Sequence, residues 1–208
     1  VITGFRFDLQ GGQKFFDIKG DLVCFGKGMG NGLPISAISG PDEFMKIFDE
    51  LWVSSTNNSE SLSLAGTIAV INEMKEKNTI SQCWSTGKKI FDGWNKITEE
   101  NHLNSKISGY PVRMDMQCFD SQNKLSPELK ALFLQEMVKN GIFISPSWIA
   151  ISYSHTNEDV AKTLEILEIV CKKIQNQVKN ENFSQLIEGK MPTTVWSMKI
   201  PPIKKVEK

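Results

Sequence analysis

A single lysine, Lys27, stands where a short apolar segment meets a glycine-rich turn. The segment, residues 21–25 (DLVCF), favours a β-strand, and a bounded apolar run of this kind is typical of a buried parallel strand. Gly26 and Gly28 carry no side chain, so a flat ligand can approach the backbone on either side of the lysine. A lysine amine in such a place can act as a nucleophile and form a Schiff base with a carbonyl group. The same pattern also fits an ordinary solvated lysine that follows a strand.

Arg6 and Arg113 are the only arginines in the chain. Arginine binds a carboxylate through two parallel hydrogen bonds better than lysine does, so each is a candidate ligand for the carboxylate of a substrate. The position of Arg113 on the polar face of a predicted strand favours a surface ion pair with Asp115 or Asp120 instead. Arg6 can equally serve to brace the loop that follows it. The residues leave open which arginine, if either, binds a carboxylate.

The composition predicts a globular protein and argues against several other classes. Of the 208 residues, 40% are hydrophobic, which is enough to bury a core. Lysine plus arginine (24) balances aspartate plus glutamate (24), so no basic surface for nucleic acid or an anionic membrane is expected. No apolar run approaches the ~20 residues of a membrane span. Four separated cysteines within apolar patterns indicate reduced core residues of a cytoplasmic protein, and two histidines make a zinc site unexpected.

Apolar periodicity and capping residues predict short strands and turns first, then helices, then a smaller α+β region. Ser126 followed by Pro127 predicts a helix start, and Gly141 its end. Thr156, with Asp159 three residues later, predicts the start of another helix. The remaining predicted elements are a strand at 33–39, a helix at 41–48, a long and largely buried helix at 62–74, its continuation after 78–79 through 83–97, a half-buried strand at 112–118, short strands at 143 and 149–153, and an extended tail from 180.

Four segments, in this order, resemble the class III aminotransferases that use pyridoxal phosphate. They are residues 1–6 (VITGFR), 20–37 (which contains GDLVCFGK and GNGLPISA), 54–65 (SSTNNSESLSLA) and 154–159 (SHTNED). The insert at residues 11–13 (GGQ) is similar to the glutamate-1-semialdehyde 2,1-aminomutase branch of that family. The turn near residues 145–147 is shorter than the family pattern, so the resemblance leaves the substrate pocket undefined.

The resemblance implies chemistry for two residues. Lys27 would hold pyridoxal 5'-phosphate as a Schiff base and later shuttle the proton. Thr56 would donate hydrogen bonds to the cofactor phosphate from a second subunit, so a homodimer with a shared active site is implied. By residue type alone, the polar stretch around Thr56 instead favours a cap for the helix that begins near Ser61.

The resemblance also implies the fold and the organisation of the chain. The fold would be α/β, of the pyridoxal-phosphate-dependent transferase fold type I. Residues 1–78 would be the C-terminal part of the large, mostly parallel sheet domain, and residues 79–179 a small C-terminal α+β domain, followed by an extended tail at 180–208. The aspartate that pairs with the cofactor ring would lie before Val1, so we expect a C-terminal portion that is inactive by itself.

Three functions remain open on this basis. The first is amino-group transfer between small amino and oxo substrates. The second is intramolecular transfer by an aminomutase. The third is a non-catalytic scaffold of the same fold.

Overall fold

The computed structural model describes residues 1–177 and 183–191. Its elements follow the predicted order, with small turns and a hairpin before the long helices. They are α1 (Gly12–Phe15), β1 (Val23–Phe25), a 3₁₀ turn (Lys27–Met29), β2 (Ala37–Ser39), α2 (Asp42–Met45), a 3₁₀ turn (Lys46–Asp49), α3 (Ser61–Glu76), α4 (Thr79–Glu100), β3 (Ser105–Tyr110), β4 (Arg113–Cys118), α5 (Pro127–Lys139), β5 (Ile149–Ala150), α6 (Asn157–Gln177) and a 3₁₀ turn (Phe183–Gln185).

The strand before Lys27 differs from the prediction of a buried parallel strand. β1 pairs with β2 in an antiparallel hairpin, with Val23 opposite Ser39 and Phe25 opposite Ala37. Val23 and Phe25 are only half-buried, and Cys24 between them is exposed. Cys24 is therefore not a core residue. The pairing is antiparallel because the chain turns back within a dozen residues, too short a connection for a parallel crossover.

Helix α3 was predicted to be largely buried, and this prediction is wrong. Leu62 and Ile68 are more than 60% exposed, whereas the buried residues of the helix are Ser63 and Thr67. The helix contacts the Lys27–Met29 turn and α4, while Leu62, Leu64 and Ile68 remain exposed. At Asn78 the backbone becomes left-handed (φ 50°), which separates α3 from α4 as predicted.

The C-terminal half contains the main core. The sheet has the order β3-β4-β5 with antiparallel pairing throughout, and α4, α5 and α6 pack around it. Trp94, Phe133 and Leu167, one from each helix, are at most 1% exposed. The predicted half-buried strand is confirmed, since its alternating residues are buried: Val112, Met114, Met116 and Cys118.

The predicted helix boundaries in this half are confirmed. The Ser126 Oγ accepts a hydrogen bond from the Leu129 N–H at 3.1 Å, and Gly141 has a φ of 85° just after α5. At the start of α6, the Asp159 carboxylate accepts from the Thr156 N–H, and the Thr156 Oγ1 accepts from the Asp159 N–H. Each boundary depends on residues within one turn of it.

Two predictions for the last third of the chain need correction. Phe143 lies in no strand and is 85% exposed, and the strand predicted at 149–153 is shortened to β5. The predicted extended tail instead packs against α5 where it is described, because Phe183 is 9% exposed within the core. The Gln135 side chain binds this segment through the Leu186 carbonyl and the Glu188 N–H. Residues 178–182 and 192–208 lie outside the described residues.

The cysteines are free thiols. Burial raises the pKa of Cys118 to about 11 and that of Cys171 to about 12, so both are neutral at physiological pH. Within residues 1–177 and 183–191, no three histidine, cysteine or acidic side chains are grouped so as to hold a metal ion. In the same ranges no helix is both long enough and apolar enough to cross a membrane.

Candidate functional site

Lys27 occupies a strained position at the start of its 3₁₀ turn. Its φ is 50°, in the left-handed region that residues with a Cβ seldom adopt. The residue is exposed, while its neighbour Gly26 is buried. Strained backbone of this kind persists only where the surrounding structure imposes it, and it occurs preferentially at functional sites. Within the described ranges, the Lys27 ammonium takes part in no ion pair.

Gly26 and Gly28, on either side of Lys27, lie in ordinary contact with neighbouring segments. A Cβ added at Gly28 would lie 3.5 Å from the Phe5 Cβ, and one added at Gly26 would lie 3.7 Å from the Ile35 carbonyl. At Gly30 a Cβ would lie 2.8 Å from the Leu33 carbonyl, which is too close for any side chain. Of these three positions, only Gly30 therefore has no room for a Cβ.

Thr56 lies in the exposed turn at residues 56–59 that precedes α3. The alternative role predicted for this stretch, that of a helix cap, belongs to Glu60 instead. The Glu60 carboxylate accepts hydrogen bonds from the Leu62 N–H at 2.8 Å and from the Ser63 N–H at 2.7 Å. Within the described residues, no side-chain hydrogen bond engages Thr56.

The two arginines have different partners from those expected. The Arg6 Nη1 donates to the carbonyls of Val112 and Ile151, each at 3.0 Å, and so ties the Lys27 region to the C-terminal sheet. Arg113 lies over the ring of Trp148, 5.7 Å from its centroid. The prediction that Arg113 forms an ion pair with Asp115 or Asp120 is wrong. Asp115 instead pairs with Lys130 at 3.6 Å.

Helix α3 connects the two predicted site residues. Gly66 on α3 packs so closely on the Leu33 side chain that a Cβ would overlap it. Leu33 lies in the turn that follows Lys27, and Thr56 lies in the turn that precedes α3. The structure thus brings the Lys27 turn against α3, while no described hydrogen bond joins Thr56 to that turn.

The residues present fit pyridoxal phosphate. The cofactor needs an accessible primary amine for its aldehyde, and Lys27 offers one without a competing ion pair in the described part of the chain. Gly26 and Gly28 place no side chain next to that amine on either side in sequence. Hydroxyl and amide donors for the phosphate are present in the exposed turn that holds Thr56.

Sequence reasoning missed the aromatic contacts that support the site. The ring edge of Phe5 meets the ring of Phe25, with centroids 5.6 Å apart. Phe7, 6% exposed, packs against Trp84 of α4, and the Trp84 Nε1 donates to the Phe7 carbonyl at 3.0 Å. The phenylalanines at positions 5, 7, 15 and 16 were a visible signal of a cluster, but their partner on α4 lies about 80 residues away.

A separate cleft of about 540 Å³ lies in the C-terminal half between α4, α6 and the segment around β5. Ile90, Trp94 and Ile151 line it, and Lys27 and Thr56 do not. The Trp94 Nε1 is buried without a hydrogen-bond partner among the described residues. The cleft is thus distinct from the predicted lysine site.

Comparison with known sequences identifies the same family that the motifs resemble. The model of the family "Aminotransferase class-III" matches residues 3–171. A glutamate-1-semialdehyde 2,1-aminomutase of Methanosphaera stadtmanae is 30% identical over 189 residues, which cover 84% of this chain and 44% of that protein. A 3-aminobutyryl-CoA aminotransferase of Cloacimonas acidaminovorans is 29% identical over 169 residues, covering 80% and 41%. The chain therefore spans less than half the length of these relatives.

Comparison with solved structures shows the fold. The structure of the internal aldimine form of the FumI protein of Sphingopyxis sp. MTA144 matches with a TM-score of 0.74 at 20% identity, covering 88% of this chain and 44% of that one. An ω-transaminase of Sphaerobacter thermophilus matches with a TM-score of 0.72 at 18% identity, covering 85% and 43%. Fold type I, predicted from the motifs, is confirmed.

Proposed function

This chain belongs to the class III aminotransferase family, and we propose that it carries the cofactor-binding lysine of a pyridoxal-phosphate-dependent aminotransferase. The observation that supports this most directly is Lys27 itself: an exposed amine on a left-handed residue, between two glycines and within the region that the family model matches. A left-handed backbone costs a residue with a Cβ about 1–3 kcal/mol and occurs preferentially at functional sites. Seven other non-glycine residues of the described chain also have a positive φ, so the accessible amine, more than the backbone angle, supports the assignment.

Lys27 would have two tasks in the reaction. Its Nζ would hold the cofactor covalently until a substrate amine replaces it, and the freed Nζ would then move a proton to or from the substrate carbon. Pyridoxal phosphate, when bound, supplies the electron sink that makes this carbon acidic. Repeating the exchange with an oxo substrate would complete the transfer of the amino group between two small molecules.

Reductive labelling tests the assignment. The full polypeptide that carries these residues is incubated with pyridoxal phosphate, treated with borohydride and digested, and the pyridoxyl-bearing peptide is identified by mass spectrometry. We expect the label on Lys27, and we expect Lys27→Ala to lose it while Lys46→Ala retains it. Lys46 is the matched control because it is also an exposed lysine of a short 3₁₀ turn in the same half. Predominant label on Lys14, Lys19 or Lys46 would overturn the assignment.

Thr56 and a second subunit form the next part of the proposal. The Thr56 hydroxyl would donate to the cofactor phosphate of the neighbouring subunit, making a homodimer with a shared site. Its exposed turn supports this, because apolar residues on both sides of it in sequence are exposed: Trp52 is 94% exposed and Leu62 69%. Thr56→Val should weaken cofactor binding by about 1.5–3 kcal/mol, the value of a hydrogen bond to a charged group. Thr56→Ser, which keeps the hydroxyl, should bind nearly as the parent does.

An aminomutase is the second candidate, and the insert at residues 11–13 favours it. Gly11 is buried with a φ of 82°, and a Cβ at Gly12 would lie 2.9 Å from the Thr3 Oγ1. The insert is therefore packed into the turn beside the lysine site. Incubation with glutamate 1-semialdehyde alone separates the two reactions. Conversion without a second substrate would support the aminomutase, and dependence on an added amino donor or oxo acceptor would support the aminotransferase.

The proposal extends to the domain boundary and to the cellular location of the protein. The left-handed Asn78 supports a division between a large-domain part at 1–78 and a small domain at 79–179, because α4 packs on β3 and α6. Free cysteines support a reducing, cytoplasmic location. A non-catalytic scaffold of the same fold would be indicated if the labelling experiment found no lysine that holds the cofactor.

A further inference from the structure

Contacts run without a gap from the Lys27 turn to the C-terminal half of the molecule. Gly28 packs on Phe5, and the Phe5 ring packs edge-on against Phe25 of β1. The next residue, Arg6, extends in the other direction to the C-terminal sheet. Phe5 and Arg6 lie in one turn, which is closed by hydrogen bonds from the Arg6 and Phe7 N–H groups to the Thr3 carbonyl. One short turn thus contacts the lysine site on one side and the sheet on the other.

The two carbonyls that Arg6 binds lie at the point where the β4–β5 ladder ends. Arg113 pairs with Ala150, so Val112 and Ile151 are the next residues of the two strands. Both are buried, at 0% and 5% exposure. A buried carbonyl without a donor costs about 1–3 kcal/mol. A single guanidinium nitrogen, Nη1, supplies hydrogen bonds of 3.0 Å to both, and this occupies its two N–H groups.

We infer that Arg6 is a positioning residue, which fixes the Lys27 turn relative to the C-terminal half. This inference rests on the proposed role of Lys27. The guanidinium is planar and directional, so it fixes distance and orientation better than an apolar contact does. Because Phe5 and Arg6 are consecutive residues of one turn, loss of the Arg6 hydrogen bonds would free that turn from the sheet, and with it the Phe5 side chain that Gly28 contacts. Arg6 consequently acts on the reaction through Lys27, and its Nη1 is not free to bind a substrate carboxylate.

The experiment compares Arg6→Met, Arg6→Lys and Arg113→Met in the full polypeptide. Arg113 is the matched control, since it is the only other arginine and its described contact is an exposed stack on Trp148. The first measurement is the amount of pyridoxyl label on Lys27 relative to that on Lys14 and Lys46 of the same molecules. The second, which needs no cofactor, is hydrogen exchange of peptides that cover residues 22–29 and 149–153.

We expect Arg6→Met to lower the relative label on Lys27 about 10- to 100-fold, the effect of a displacement of about 1 Å. Exchange should rise in both peptides, although Arg6 bonds to only one of them. Arg6→Lys should restore much of the label, because an ammonium can still donate to both carbonyls, and Arg113→Met should resemble the parent. If Arg6→Met does not fold, Arg6→Lys is compared with the parent by the same two measurements, and a smaller loss of label and protection is expected.

Two results would overturn the inference. One is parental labelling of Lys27 in Arg6→Met. The other is faster exchange confined to residues 149–153, which would mean that Arg6 stabilises the sheet and does nothing for the lysine turn. Failure of the proposed function is a different result: the parent protein itself would then carry no label on Lys27, and the exchange of residues 22–29 would still decide whether Arg6 holds the turn.

Discussion

The carboxylate of Glu136 on α5 is bonded to the ammonium of Lys173 on α6, although only 3% of the Glu136 surface is exposed. Lys139 lies 3.5 Å from the same carboxylate, and the Gln135 amide donates to it at 3.2 Å. Burial by itself would raise the pKa of Glu136, but the bonds from Lys173 and Gln135 and the nearby Lys139 outweigh it and lower the pKa. The carboxylate is therefore ionised and joins two helices of the core.

This ion pair predicts how stability depends on pH. Because the folded protein lowers the pKa of Glu136, its contribution is complete above the ordinary value of about 4.3 and is lost as the pH falls through the folded value. Glu136→Gln should lower the free energy of unfolding at pH 7 by about 1.5–3 kcal/mol, with a smaller further loss between pH 5 and pH 3 than in the parent. Urea unfolding at pH 7, pH 5 and pH 3 measures the loss of stability at pH 7 and the further loss on acidification. Glu168→Gln is the control, since its partner Lys172 is exposed, and it should change stability by less than about 1 kcal/mol.

The left-handed backbone of Lys27 predicts that a glycine variant at this position is more stable than an alanine variant. A residue with a Cβ pays about 1–2 kcal/mol in this conformation and glycine does not. Lys27→Gly should therefore be about 1 kcal/mol more stable than Lys27→Ala, and both should lose the pyridoxyl label. At Lys46, where φ is −58°, the order should be reversed, with the glycine variant the less stable. Thermal unfolding of the four variants checks this, and an equal difference at both positions would contradict it.

Two helical glycines should respond differently to the same substitution. A Cβ at Gly87 of α4 would overlap the carbonyl of Pro111, which is backbone and cannot rotate away. A Cβ at Gly66 of α3 would overlap the tip of the Leu33 side chain, which can. Gly87→Ala should cost about 1–3 kcal/mol. In Gly66→Ala the gain of helix propensity, about 1 kcal/mol, should offset much of the free-energy cost of the contact with Leu33. Denaturant unfolding of both variants measures the difference, and a destabilised Gly66→Ala beside a neutral Gly87→Ala would contradict the packing.

The exposed apolar residues at 51–53, which include Trp52, predict part of the dimer interface. A buried tryptophan at an interface commonly contributes 2 kcal/mol or more, so Trp52→Glu should weaken dimerisation about 30-fold or more. Sedimentation of the full polypeptide over a range of concentrations measures the dissociation constant. Phe143→Glu is the control, because Phe143 is 85% exposed but lies in the C-terminal half. A dimer that Phe143→Glu weakens and Trp52→Glu leaves intact would move the interface to the other half of the molecule.

Local sequence was sufficient for the features that depend on neighbouring residues. The limits of α5 follow from Ser126, Pro127 and Gly141, because caps act through hydrogen bonds and backbone angles within one helical turn. The Lys27 segment could be singled out for the same reason, since its glycines and its lysine are adjacent. The proposal that it is a cofactor site came from the order of four motifs and not from any one of them.

Tertiary structure decided everything that depends on a distant partner. The antiparallel pairing of β1, the exposure of Leu62 on α3 and the packing of Phe183 each depend on which surfaces meet, and residue types do not specify that. Arg6 is the clearest case: its sequence position suggested a carboxylate ligand or a local brace, whereas its hydrogen bonds reach Val112 and Ile151. Two buried carbonyls at the end of a strand ladder need a donor, and only the folded chain brings Arg6 to them.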